Sequence, residues 1–200
     1  MDEHIWFMAR PSNRERILTE GLRVVHERGF AGASVRDIVQ AAGVPQGSFT
    51  NHFASKEAFG LEILELYFAE SRCIMERTLR NDALPPLARL AAFIDGNTTE
   101  RDADCARKGC LLGNFSAEAT EHGEAIRHRL ADMLAEIEGS IAYCLKAATE
   151  AGELPRGFPC EEIAGFILAS LQGAILLSKV DGNQAPVERF KQVLFSKVLR

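Results

Sequence analysis

Two sets of side chains in this 200-residue chain have types and spacings that could do chemistry. The first is Gln46, Ser48, Thr50, Asn51 and His52, polar groups along one side of a short segment with Phe49 and Phe53 as inner anchors. A short polar helix joined to a preceding helix by a tight glycine-containing turn is a helix-turn-helix, able to set its second helix in a DNA major groove. The second set is Cys105-Ala106-Arg107-Lys108-Gly109-Cys110. Two neighbouring cations and a helix start near Cys110 would lower a thiol pKa and favour the nucleophilic thiolate. One reading makes Cys110 a redox or electrophile switch with Cys105 as resolving thiol. The other makes Cys110 a small buried apolar residue. Cys-x4-Cys lacks the second ligand pair of a metal site, and His122 and His128 do not supply one. The chain shows no Gly-rich phosphate loop, no nucleophile elbow and no catalytic carboxylate pair, so no enzyme, catalytic residue or cofactor is expected. Glu118, Glu121 and Glu124 read as a solvated helix face.

The elements that position the first set lie within residues 34–57. Ser34 is an N-cap residue type, and Val35, Ile38 and Val39 share a helical face. Ala42-Gly43 closes that helix, since glycine supplies the left-handed backbone of a sharp ending. Val44 is a peg after the turn, and Pro45 suits a first helical turn. Ser55 caps the next helix, with Lys56 in its first turn. A preceding helix over 12–29, capped by Ser12 or Asn13, turns Ile17, Leu18, Leu22 and Val25 inward. Gly29 stops it and Phe30 folds back as a plug.

This stretch resembles the DNA-binding signature of the TetR family of transcriptional regulators (AcrR-like). The resemblance rests on Gly29-Phe30, Ser34-Val35, Ile38, Ala42-Gly43-Val44, Gly47-Ser48-Phe49, His52-Phe53 and Ser55-Lys56-Glu57, in one register over the first third of the chain. It implies a recognition helix over 45–51. Gln46 and Ser48 would reach base edges, and Gly47 would allow close backbone approach. Thr50, Asn51, His52 and Lys56 would bind phosphates, helped by the capped helix start at Ser55. Arg36 would reach base or phosphate, and Ser34 belongs to the same surface. The family usually has Tyr where this chain has Thr50, which shortens the reach there. Gly-Cys-Leu-Leu-Gly-Asn, from Gly109, is similar to a branch of the family in which some members sense oxidants or electrophiles through a cysteine.

The chain carries a net charge of −5 with a pI near 5.6. Residues 1–60 hold seven basic and seven acidic side chains, and residues 61–200 hold sixteen and twenty-one. The acidic excess therefore lies outside the proposed DNA-binding part, and base contacts and dimer symmetry must carry much of the affinity. Residues 1–11 read as a loose arm in which Arg10, like Arg14 beyond it, could reach a phosphate. The apolar patch Ile5-Trp6-Phe7-Met8 is too short for a secretion signal. No membrane-spanning segment is expected, and five cysteines without paired spacing fit a reducing cytoplasm.

The remaining pattern gives an all-α chain of about nine helices. An N-terminal three-helix domain over 1–56 is followed by a helical effector-binding and dimerisation domain over 57–200, linked by one long helix over 55–80. Along that helix Phe59, Ile63, Leu64, Leu66, Tyr67, Cys73, Ile74 and Leu79 form the apolar stripe. Further helices fall at 86–99, 110–121, 123–151, 160–180 and 186–199, with a polar loop at 100–110. The resemblance implies an effector pocket among the middle helices, for an unknown small apolar or electrophilic molecule. Candidate lining residues are Phe68, Phe93, Cys110, Phe115, Met133, Tyr143, Phe166 and Leu171; plain core is the competing reading. Helix 160–180 is apolar around more than one face, so something must cover the second face. The resemblance implies a homodimer through the last two helices, using Ile163, Phe166, Ile167, Ser170, Gly173, Ala174, Leu177, Phe190, Val193 and Leu194. The function implied is a repressor released from a palindromic double-stranded operator by its effector. The alternatives are a thiol-based switch through Cys110 and a helical interaction module without DNA binding.

Overall fold

The structure, a computed structural model, describes residues 11–98 and 108–200. The expected arm with Arg10, and most of the expected loop including Cys105 and Arg107, lie outside the described residues. Among the described residues there are nine α-helices and no strand: α1 (Asn13–Arg28), α2 (Val35–Ala41), α3 (Gly47–His52), α4 (Lys56–Arg77), α5 (Pro86–Thr98), α6 (Leu111–Ala117), α7 (Glu124–Glu150), α8 (Cys160–Asp181) and α9 (Ala185–Val193). The final helix expected over 186–199 is instead α9 followed by a π-helical turn, Leu194–Val198. The chain forms two compact units, one ending at Ile63 and one starting at Leu64, so the boundary falls inside α4.

The first unit is built from reciprocal local caps. Ser12 Oγ accepts from Glu15 N while Glu15 accepts from Ser12 N, and Ser34 and Asp37 repeat the arrangement at the start of α2. Gly29 and Gly43, at φ 80° and 60°, make the reversals after α1 and α2 that a Cβ would strain. Ile17, Val25, Ile38, Phe49, Phe53 and Phe59 fill the core. The three phenylalanine rings pack with centroids 5.2–5.4 Å apart. Gly21 is a packing glycine: a Cβ there would lie 2.5 Å from the Phe59 ring and 2.9 Å from Ile38. Leu18, Leu22 and Val44 are half-buried rather than buried.

In the second unit α7 packs on α5, α6 and α8, and α9 on α8. Leu64, Phe68, Ile94, Leu111, Phe115, Met133, Ile141, Leu145 and Ile167 form a continuous core. Leu66 and Cys73 leave the stripe expected along α4 and are exposed. Arg72 of α4 forks onto Glu136 of α7 at 2.8 and 2.9 Å, and Arg129 of α7 pairs with Glu65 of α4. α8 is 22 residues long and contains an 18-residue stretch with a mean hydropathy of 1.7, so by length and composition alone it passes as a membrane-spanning helix. One face of α8 packs on α7 and α9, while Phe166, Leu176, Leu177 and Val180 stand exposed.

Candidate nucleic-acid interface and effector cavity

α3 begins without a side-chain cap, at Gln46, and is positioned by the turn before it. Val44 N donates to Val39 O, and Arg16 Nη2 donates to Gly43 O at 3.1 Å, tying the turn to α1. Nothing in local sequence marks Arg16 for this, because its acceptor lies 27 residues away. Gln46, Gly47, Thr50, Asn51 and His52 are exposed, as are Ser34 and Arg36 of the preceding segment. Thr50 Oγ1 donates to Gly47 O at 3.1 Å. A Cβ on Gly47 would meet nothing within 4 Å, so the fold itself does not require glycine there.

Two expected contact residues are corrected. Ser48 is buried beside Phe49, because a six-residue helix held by Phe49 turns positions 48 and 49 inward together. Lys56 Nζ donates to Phe30 O at 2.6 Å and stands 4.7 Å from the Phe30 ring centre, so its cation closes the loop between α1 and α2. Ser34 is exposed, but its hydroxyl serves the cap of α2. Hydrogen bonds from Ser34, with Arg28 at 3.0 Å, hold the Asp37 carboxyl below the usual carboxylate range.

The other arginines of this unit are occupied. Arg14 pairs with Glu62, Arg16 binds Gly43, Arg23 bridges Glu20 and Glu27, and Arg28 pairs with Asp37. Among the described residues of the first unit, Arg36 is the one arginine with no protein partner, and it sits on α2 just before the exposed face of α3.

In the second unit a narrow cavity of about 50 Å³ lies among α4, α5, α6, α7 and α8. Phe93, Cys110 and Leu171 line it, as expected, together with Tyr67, Gln172 and Ser178. The other candidates are corrected. Phe68, Phe115 and Met133 are core, at 0–1% exposure, because the apolar stripes of α4, α6 and α7 meet each other there. Tyr143 is 41% exposed and its hydroxyl donates to Asp82. Phe166 lies on the outer face of α8, 49% exposed. Cys110 Sγ accepts from Gln172 Nε2 at 3.5 Å and has Tyr67 Oη at 4.0 Å, both neutral donors. Cys110 and Gln172 also wall an open cleft of about 510 Å³, where Lys179 Nζ donates to Asn114 at 3.4 Å. Cys144 is a contrasting thiol: it donates to Pro86 O at 3.1 Å, and burial pushes its pKa up to about 11.

The residues expected at a dimer interface gather in an apolar groove of about 400 Å³ between α8 and α9. It is lined by Phe166, Ser170, Gly173, Ala174, Leu177, Phe190, Val193 and Leu194. Ile167 is fully buried in the chain's own core, which corrects its place in the expected set, while Ile163 is half-buried on α8 beyond the groove. Leu194 and Ala174 are mostly covered within the chain. Leu176 and Val180, 59% and 79% exposed, extend the apolar face beyond the expected set.

A short exposed helix held by a glycine turn on two supporting helices, joined to a helical unit with an internal cavity, defines a helix-turn-helix transcriptional regulator. Residues 17–63 match the family described as bacterial regulatory proteins, tetR family, and residues 86–194 match the tetracyclin repressor-like C-terminal domain. The chain belongs to the TetR family. It is 35% identical to the HTH-type transcriptional repressor DhaR of Mycobacterium sp. (strain GP1), over 96% of this chain and 95% of that protein. A regulatory protein TetR from Rhodobacter sphaeroides superposes with a TM-score of 0.85 at 28% identity, covering 90% of this chain and 96% of that one. The reduced form of E. coli NemR superposes with a TM-score of 0.79 at 26% identity, covering 89% and 92%. The chain is accordingly a DNA-binding transcriptional regulator of the repressor type, in a family of regulators rather than enzymes.

Proposed function

We propose that the chain acts as a cytoplasmic homodimer that represses from a palindromic operator and leaves it when a small effector binds residues 57–200. The observation that carries the DNA-binding face is Arg36, whose cation is unspent while the other described arginines of its unit are tied down. Arg36 and the exposed residues Gln46, Gly47, Thr50, Asn51 and His52 form the reading surface, within residues 1–56. Gln46 supplies the amide able to pair bidentately with adenine, and the bare Gly47 allows close approach. The apolar groove of α8 and α9 meets its copy, which places two α3 helices on half-sites about one DNA turn apart. The effector acts by favouring one position of α4, the helix that contains the boundary between the units.

A second reading rests on Cys110, whose sulfur faces both the cavity and the open cleft. A protein to which this chain is 26% identical has been crystallised in a form described as reduced. On this reading alkylation of Cys110 releases DNA. A gel-shift titration on DNA flanking the protein's own gene, with and without a thiol-reactive quinone, tests both. A palindrome-dependent shift released by quinone, and retained in Cys110→Ser, supports the switch. A shift indifferent to quinone leaves a non-covalent effector.

A further inference from the structure

We infer that the narrow cavity beside α8 is a binding site for a small neutral molecule bearing a carbonyl or hydroxyl oxygen, held by the hydroxyl of Ser178. The inference rests on the effector-responsive reading above and specifies the chemistry of the ligand. Ser178 is 2% exposed and lines the cavity, and its Oγ is the one buried side-chain oxygen or nitrogen among the described residues without a hydrogen-bond partner. A buried hydroxyl left unpaired is costly, and a serine inside a helix has a ready remedy, which is to donate to the carbonyl four residues back. Three other helical hydroxyls of this unit take it. Ser116 donates to Leu112 O at 2.8 Å, Ser140 to Glu136 O at 2.9 Å and Thr149 to Leu145 O at 3.1 Å. Ser178 does not, although Ala174 precedes it by one turn. Its donor is kept for something other than its own helix.

The rest of the lining defines that partner. Tyr67, Asn97 and Gln172 bring neutral hydrogen-bonding groups, and Phe93, Leu171 and Ile175 bring apolar surface. No Lys, Arg, His, Asp or Glu is among the described residues that line the cavity, and the adjacent Lys179 turns instead to Asn114 in the open cleft. An ionised ligand would meet no counter-charge among these residues. Size sets the second limit. A cavity of roughly 150 Å³ accommodates benzene, so the 50 Å³ here limits the ligand to a molecule much smaller than benzene. Gln172 and Cys110 stand in the wall shared with the open cleft, and displacing the Gln172 amide from the sulfur gives such a molecule its way in.

The test uses the full-length protein with labelled isoleucine and leucine methyl groups, titrated with acetone, acetate and 2-octanone in nuclear magnetic resonance. Acetone should shift the Ile175 and Leu171 methyl signals saturably at millimolar concentration. Acetate, nearly the same shape but charged, should bind at least tenfold more weakly, and 2-octanone should not enter. Ser178→Ala should weaken acetone by roughly tenfold, the loss of about one hydrogen bond, without lowering the melting temperature of the unliganded protein. No saturable shift, equal binding of acetate, or undiminished binding by Ser178→Ala would overturn the inference; the last result would mean that water alone satisfies the hydroxyl. A parallel DNA titration separates the two claims. Acetone that fills the cavity and leaves operator affinity unchanged upholds the site and contradicts the effector reading. DNA binding with no methyl shift contradicts the site and leaves the regulator standing.

Discussion

The helix-turn-helix and the cavity of the second unit use the same kinds of side chain to opposite ends. Around α2 and α3, polar side chains close on partners within the unit: Ser34 caps against Asp37, Lys56 caps the Phe30 carbonyl, and Arg16 holds the Gly43 carbonyl. What remains unspent there, Arg36 with the side-chain amides of Gln46 and Asn51, faces outward. In the second unit the surface charges pair, as Arg72 with Glu136 and Arg129 with Glu65, and the unspent group, Ser178, faces inward. One unit is finished inside and open to a macromolecule outside. The other pairs these surface charges and holds one open bond for a small molecule inside. The difference teaches where to look for function: at groups the fold had the means to satisfy and left alone.

The largest expected break falls on the outward surface. Gly47→Glu should abolish specific DNA binding, by at least a hundredfold in a fluorescence-anisotropy titration, because it sets a carboxylate against phosphates. Its melting temperature should stay near that of the parent, since nothing lies within 4 Å of a Cβ at that site. Gly21→Ala is the internal counterpart. A methyl group 2.5 Å from a Phe59 ring already wedged against Phe49 and Phe53 cannot be absorbed by a flexible tip. Overpacking of this kind costs about 1–3 kcal/mol, against about 1 kcal/mol of helix propensity gained. Denaturant unfolding should show a net loss. If Gly47→Glu unfolds the protein and Gly21→Ala does not, the assignment of outside and inside is reversed.

The next pair sharpens the contrast within the second unit. Ser178→Ala should raise stability by about 1 kcal/mol, since it deletes a buried hydroxyl that pairs with nothing. Ser140→Ala should lower it by about 1 kcal/mol, since that hydroxyl donates to Glu136 O and receives Arg80. Urea midpoints measure both, and a loss in each case would show that Ser178 is satisfied after all.

The smallest effect is electrostatic. The hydrogen bond from Arg72 holds the Glu136 carboxyl below its ordinary 4.5, and Arg129 does the same for Glu65. A depressed carboxylate contributes stability that is present at neutral pH and is lost as pH falls through its folded-state value. The melting temperature should therefore fall as the solution is acidified below about pH 4.5. Arg72→Met should remove part of that slope, worth no more than about 1 kcal/mol for a half-exposed pair.

Legibility from sequence followed the same divide. Ser12, Ser34, Gly29 and Gly43 were readable because each closes a bond within a few residues, where spacing alone specifies the partner. The nine helices and the recognition segment follow from such signals. Ser48, Lys56 and Arg16 were misjudged or missed because their burial or partners depend on how α3 docks on α1. In the second unit the apolar stripes correctly marked helices but could not tell core from cavity or outer face. Phe68, Phe93 and Phe166 look alike in sequence, yet one is core, one lines the cavity and one is exposed. Ser178 carries no local signature at all, since an unmade bond becomes visible only once every neighbour is in place.

The account stands most directly on whether the face of Arg36 and α3 reads DNA. The decisive measurement is a fluorescence-anisotropy titration of the purified protein on a palindrome from DNA flanking its own gene, against a scrambled copy, with Arg36→Ala alongside. The account predicts tight binding of two chains per palindrome, at least a hundredfold weaker binding to the scrambled DNA, and a roughly tenfold or greater loss for Arg36→Ala at unchanged melting temperature. Equal affinity for both DNAs, or full affinity in Arg36→Ala, would contradict it.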